Sequence, residues 1–285
     1  MRIRTAGLLL KPLKSRQAVA AALLTLSLPA AVAADNGWPD KVAASYQVSF
    51  NGFDIGNFQF ESSTAARTYS LAGSAKLSLL LGAFKWSGAT SSKGVIAGAE
   101  PEPSEHAFEY KSSSKSGSLA MRFSKGRVTD TETIPPIKPS KNAVPLTDRH
   151  LEGVLDPLSA VMAMSRGKMD DPCNQKIAVF DGKQRFDLVL SFSRRTRIKE
   201  ARPSGEPDLG YVCRVRYVPI AGHKMNKMVA SMAASEGIEV VLRPIPSANI
   251  VVPYQVKVPT FLGSAVLTSQ RVEITTGMRQ IALVY

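Results

Sequence analysis

The chain has 285 residues, 44% of them hydrophobic and 21% charged, with two cysteines and a formal net charge of +13. That is enough chain for one large β domain or two small ones with a buried core, and the absence of a C-x-x-C spacing excludes a dithiol redox motif. Where it is not simply solvated charge, a basic excess points to anionic surfaces or acidic partners.

Residues 1–34 read as a secretory signal. Arg2, Arg4, Lys11, Lys14 and Arg16 form a basic leader without an acid. An apolar run follows at 18–28, Pro29 breaks it, and Ala31-Val32-Ala33 supplies a small-x-small pattern with cleavage expected after Ala33 or Ala34. The run is too short for the ~20 apolar residues that span a bilayer, and no cysteine follows it to carry a lipid. The competing reading is an uncleaved anchor. Export to the periplasm removes nucleic acid from the partners. It also leaves +8 on residues 35–285, because the five leader charges depart with the signal. Oxidising conditions make a Cys173–Cys213 disulfide the default and two buried thiols the alternative.

Beyond the leader the pattern is strands and turns. Tyr46, Val48 and Phe50 alternate with polar residues, and Asn51-Gly52 is a strong hairpin signal. Phe53, Ile55, Phe58 and Phe60 form the return strand, with a bulge at Gly56. Tyr69 and Leu71 begin a third strand. An apolar patch follows, made of Leu77, Leu79, Leu80, Leu81, Phe84 and Trp86. It is either an element buried on both sides or the mouth of an apolar groove. Lys93-Gly94 reads as a turn before a short strand at 95–97, and Pro101-Glu102-Pro103 as punctuation. Strands are expected at 106–111 and 117–123.

Four prolines mark 134–145 as an extended basic loop between two halves. Asp156 and Pro157 then open the one good helix outside the leader, with Asp156 as its cap and Leu158, Val161 and Met162 on one face. The second half returns to strands at 177–180, 186–192, 211–217, 239–242, 254–258, 261–267, 271–275 and 281–285. A basic stretch lies at 194–202, a second short helix at 226–235, and prolines at 244 and 246 divide two of the strands. A dozen short strands predict a mainly β fold: a curved antiparallel sheet or partly open barrel with one or two short helices, residues 35–285 forming a single domain. No alternation is long and apolar enough on one face for an outer-membrane barrel.

Candidate chemistry is sparse. His106, His150 and His223 lack metal-ligand spacing and read as surface or packing residues. There is no G-x-S-x-G, S-x-x-K, P-loop or G-x-G-x-x-G motif, so no catalytic residue, metal or cofactor is assigned. Met162, Met164, Met225, Met228 and Met232 read as core filling, or as the lining of an adaptable apolar site.

Four fragments carry a resemblance: Y-x-V-x-F-N-G-F-D-I-G at 46–56, D-P-L-S at 156–159, V-F-D-G-K-x-R-F-D-L at 179–188 and C-R-V-x-Y-x-P-I-A-G-H at 213–223. In this order they resemble the bacterial domain of unknown function 3108, an exported family without an assigned activity. The resemblance implies a periplasmic β-rich domain. Its architecture is similar to the curved, partly open sheets of lipoprotein-carrier and envelope-integrity β-spiral proteins. The expectation is a non-enzymatic envelope protein that holds a lipid or an apolar segment of an envelope protein against a curved sheet. One alternative is a module whose basic loops at 134–145 and 194–202 dock an anionic membrane surface or acidic partner. Another is an envelope hydrolase with a site the sequence does not disclose.

Overall fold

Period-two alternation governs most of the chain. A computed structural model, which describes residues 37–285 apart from 80–81, 138–141, 225, 261 and 278, turns it into antiparallel strands and two short helices. The expected signal at 1–34 lies outside the described residues, as do Leu80, Leu81, Met225 and part of the 134–145 loop. Ala34–Tyr285 forms one compact unit.

Seven strands form a meander: β1 (Lys41–Phe50), β2 (Phe53–Ala65), β3 (Thr68–Leu79), β4 (Phe84–Ala97), β5 (Glu100–Ser112), β6 (Ser116–Ser124) and β7 (Arg127–Ile134). Helix α1 (Pro157–Met164) comes next, then β8 (Gln175–Phe180), β9 (Arg185–Arg197) and β10 (Leu209–Ala221). Helix α2 (Lys227–Ala234), β11 (Glu239–Ile245), β12 (Ile250–Thr260), β13 (Gly263–Thr276) and β14 (Arg279–Val284) complete the unit. All the strands belong to one sheet, ordered β7-β6-β5-β4-β3-β2-β1-β13-β12-β11-β10-β9-β8, with β14 beside β13. The two meanders meet at the β1–β13 pair, so β7 and β8 are the sheet's edges.

The sheet curls but is not closed by strand pairing. Residues 152–155 run between the two edges instead. Arg127 bridges Glu152 on one side, and Leu155 bridges Val179 on the other. The Gly153 N–H donates to Gly126 at 2.8 Å, and Leu155 exchanges bonds of 2.9 Å with Ala178 and Phe180. Val154 then packs with Met121, Phe123, Val128 and Phe180 in a small core of its own. This is the partly open barrel expected from the alternation.

Local chemistry follows the sequence at several points. Asn51 and Gly52 take φ of 50° and 83°, as the tight hairpin requires. The β1–β2 register shifts where Val48 faces Gly56 and Ser49 faces Asp54, placing the bulge at the expected glycine. Asp156 caps α1, and Asn226 caps α2.

Four local expectations are corrected. Residues 93–97 are not a turn and a separate strand but the continuation of β4. The β4–β5 register shifts there, and a Cβ on Gly94 would lie 2.1 Å from the Glu102 carbonyl oxygen. Close backbone approach, not a reversal, is what that glycine permits. Pro101 and Pro103 lie inside β5. The stretch is paired with β4 while β6 begins pairing only at Glu105, and proline is tolerated on such an edge-like segment. The strands expected at 261–267 and 271–275 are one strand, β13, carrying a bulge where Ser45 faces Arg271 and Tyr46 faces Ser269. Pro244 continues β11 opposite Val251 rather than ending it.

Candidate functional site

The concave face of β1–β7 has two ends of different character. At one end the inward residues Tyr69, Leu71, Ile96, Met121 and Phe123 are buried, and Leu158 and Met162 of α1 pack against several of them. Helix α1 therefore fills this end of the curl.

A polar cluster fixes the helix in place. The Asp156 carboxylate is fully buried, and Oδ1 accepts from the N–H groups of Leu158 and Ser159 at 3.0 Å each. Ser92 Oγ donates to the same oxygen at 2.6 Å, and Ser159 Oγ donates to Oδ2 at 2.5 Å. Because the Ser92 proton is committed to the carboxylate, Ser92 Oγ accepts from His106 Nδ1 at 2.9 Å, and Nδ1 also lies 3.1 Å from Asp156 Oδ1. By the same logic the Tyr69 hydroxyl donates to Ser159 Oγ at 2.8 Å. Burial alone would raise the Asp156 carboxyl. The hydrogen bond and charge of His106, with the hydroxyls of Ser159 and Ser92, outweigh it and hold the group below the usual carboxylate range. Burial pushes the Tyr69 hydroxyl up, well above the ordinary phenol range.

Serine, histidine and aspartate meet here, but not as a proton relay. In a relay the base takes the serine proton on one ring nitrogen while the acid holds the other. Here Ser92 and Asp156 share Nδ1, and all three side chains are buried. The cluster is an elaborated helix cap linking α1 to β3, β4 and β5. Sequence reasoning found Asp156 as the cap but missed the other four residues, because they come from four separate elements. Tyr69 stood only as the start of a strand, Ser92 had no role, and His106 was read as surface or packing.

At the other end of the same strands the inward positions are only half-buried. Across the ladder, Phe58 faces Ala75, Gly88, Tyr110 and Gly117 in one row. Phe60 faces Gly73, Thr90, Phe108 and Leu119 in the next. Rings lean over the glycines: an added Cβ would lie 3.2 Å from the Phe58 ring at Gly73, 2.5 Å from Trp86 at Gly88 and 2.8 Å from Tyr110 at Gly117. Phe108 and Tyr110 stack with centroids 5.9 Å apart. Small residues thus form a floor on which aromatic faces lie flat and partly exposed.

The apolar patch belongs to this end. Leu77 pairs with Trp86 and Leu79 with Phe84, so all four project to the concave side while Lys76, Ser78 and Lys85 face outward. Leu77, Leu79 and Trp86 are half-buried, Phe84 is 43% exposed, and none of the four joins a buried core cluster. Leu80 and Leu81 are outside the described residues.

Between the two ends an apolar cavity of about 150 Å³ opens among β1, β2, β12, β13 and α1. Tyr46, Phe58, Phe60, Leu158, Met162 and Leu267 contribute to its walls. The Tyr46 hydroxyl is committed to the Pro253 carbonyl at 3.0 Å, and burial pushes it upward from the ordinary phenol range. Its apolar walls give water few partners. Phe58 and Phe60 belong to both the cavity and the aromatic floor, so the two are continuous through them.

The other half is held differently. Cys173 and Cys213 form the expected disulfide and sit in a core cluster with Leu190, Tyr211 and Leu242. Arg243, fully buried, donates to Glu200 at 2.8 Å and to the Tyr285 hydroxyl at 3.2 Å, and also bonds the carbonyls of Glu206 and Pro207. Arg243 lies just past the strand expected at 239–242 and carried no role in the sequence reading. The cluster ties the C-terminal residue to β11. In the basic stretch 194–202, Arg194 pairs with Glu239 and Arg195 lies over Tyr211, while all five basic residues are exposed. Met162 and Met232 pack into cores as expected. His150 bonds Thr147, and His223 is buried. Among the described residues no three His, Cys, Asp or Glu side chains cluster as metal ligands would.

The family model described as "Protein of unknown function (DUF3108)" matches residues 45–270. No curated protein matches the chain. Among solved structures, the chain is similar to a beta-barrel-like protein of domain of unknown function DUF1849 from Brucella abortus. The identity is 8% and the TM-score 0.48, over 83% of this chain and 98% of that one. With the family model covering most of its length, the chain belongs to the DUF3108 family.

Proposed function

We propose that this DUF3108 protein is a non-enzymatic periplasmic envelope protein that shelters an apolar chain, either an acyl chain or an apolar partner segment, on the half-open concave face. One observation carries the reading. The same strands, with the same inward alternation, are filled by α1 at one end. At the other they leave Trp86, Phe108 and Tyr110 only partly buried over a floor of glycine and alanine, with Phe58 and Phe60 bridging to the filled end. Concave apolar surface that the protein does not cover itself is the usual form of a small-ligand site. The cavity at the inner end of the floor gives a chain terminus somewhere to go.

Two further observations support the location and the absence of chemistry. A disulfide between Cys173 and Cys213 suits an oxidising compartment, in keeping with the leader at 1–34. The meeting of Ser92, His106 and Asp156 is buried and serves as a cap.

The test is binding of 11-(dansylamino)undecanoic acid, with lipid extraction and mass spectrometry of protein isolated from its native envelope fraction. Saturable probe binding that Trp86→Ala or Phe108→Ala weakens about tenfold, with unchanged circular dichroism, is expected. Absence of both co-isolated lipid and probe binding overturns the reading.

A further inference from the structure

Hairpin turns of a meander alternate between the two ends of a sheet, so the β1–β2, β3–β4 and β5–β6 turns share one end with the last residue of β7. The β12–β13 turn joins them. Asn51 donates from its backbone to Ser264 at 3.0 Å and from Nδ2 to the Leu262 carbonyl at 3.2 Å. The next two tips are also linked: the Ser113 N–H donates to the Lys85 carbonyl, and the Lys85 N–H donates to Ser113 Oγ, at 3.0 Å each. These tips, tied in two pairs, form the rim at the open end of the concave face.

Eight large hydrophobic side chains are exposed among the described residues, and three of them crown this rim: Phe53 at 77%, Leu262 at 68% and Phe84 at 43%. Turns need no apolar side chain to form and are ordinarily polar. Lys85, Lys111 and Lys115 are exposed beside these residues, against Asp54 on the β1–β2 tip. Apolar tips set among lysines match an interface with acyl chains below and phosphates above.

We propose that this rim docks on an anionic phospholipid bilayer. Phe53, Phe84 and Leu262 enter the acyl boundary, and Lys85, Lys111 and Lys115 meet the headgroup phosphates. The charge selects this occupant over a second copy, whose rim would carry the same sign. The inference shares the open end with the proposed groove but does not need the groove to be filled.

Flotation with phosphatidylglycerol vesicles, against phosphatidylcholine, tests it, each variant carrying the same N-terminus as its parent so that residues 1–34 contribute equally. Phosphatidylglycerol vesicles are expected to carry the protein in a salt-sensitive manner. Phe53→Ser with Leu262→Ser lowers partitioning about tenfold or more. Lys85→Glu with Lys115→Glu weakens it for phosphatidylglycerol alone, and Phe192→Ser, exposed on β9, leaves it unchanged. Hydrogen exchange at 51–54 slows on the vesicles. Equal binding to phosphatidylcholine, tip variants that partition like the parent, or an equal loss in Phe192→Ser overturns the proposal. So does self-association without vesicles that the tip variant abolishes, which assigns the rim to a second copy. Uptake of 11-(dansylamino)undecanoic acid, measured on the same proteins without vesicles, keeps the two readings apart. Docking without uptake sinks the groove and leaves the rim, and uptake without docking does the reverse.

Discussion

The two ends of the β1–β7 concave face are built from the same strands under the same rule, yet one is core and the other is surface. Leu71 and Leu77 both lie on β3 and both point inward, but Leu71 is 1% exposed and packs in a cluster with α1, whereas Leu77 is half-buried and joins no cluster. Alternation therefore specifies which face a side chain occupies. Burial is decided by whatever the chain later lays over that face, and in this protein the cover is a helix encoded some 90 residues downstream that reaches only one end.

The largest expected effect breaks that cover. Asp156→Ala removes the cap and leaves Ser92, Ser159 and His106 buried without their acceptor, which is expected to cost about 3–5 kcal/mol in urea unfolding. A loss under ~1 kcal/mol would mean that α1 does not depend on this anchor. Next, removing the Cys173–Cys213 link, on the side of the molecule the helix cap does not serve, should cost about 3–4 kcal/mol for a loop of 40 residues. Intact-mass alkylation with and without reductant checks that the pair is closed in the protein as isolated.

A direct comparison sharpens the contrast. Leu71→Ala should lose about 2–5 kcal/mol, and Leu77→Ala about 1 kcal/mol or less, on the same strand and face. Equal losses would show that the open end is packed after all. The smallest effect is in pH. The Asp156 carboxyl titrates below its unfolded value near 3.9, so its contribution is fully present above that value and is lost as pH falls through the folded one. Stability should hold from neutrality to about pH 5 and then decline, and Asp156→Asn should flatten the decline.

Much of this fold was legible because its signals are local. Asn51-Gly52, the Gly56 bulge, Asp156 before Pro157 and the spaced cysteines each act within a few residues or through one covalent link. What escaped was non-local. Tyr69, Ser92, His106 and Ser159 gain their meaning only when α1 is placed against β3–β5, and Arg243 only when β14 delivers Tyr285 to it. Gly94 misled as a turn because a glycine demanded by a neighbouring carbonyl looks, in one dimension, like a glycine demanded by a reversal. Leu77 and Trp86 lie beside Leu79 and Phe84 across the β3–β4 pair. Their excess over what one strand face can bury reflected two strands sharing one face.

The join between β7 and β8 has a mechanical meaning. In a barrel closed by hydrogen bonds, strand number and shear fix the girth. Here the circuit is completed by the few bonds of residues 152–155 and by the side chain of Val154, with no ladder between the edges. The closure is a clasp instead of a ring. For the guest proposed above, it is the strap that limits girth, where a closed ladder would fix it through strand number and shear.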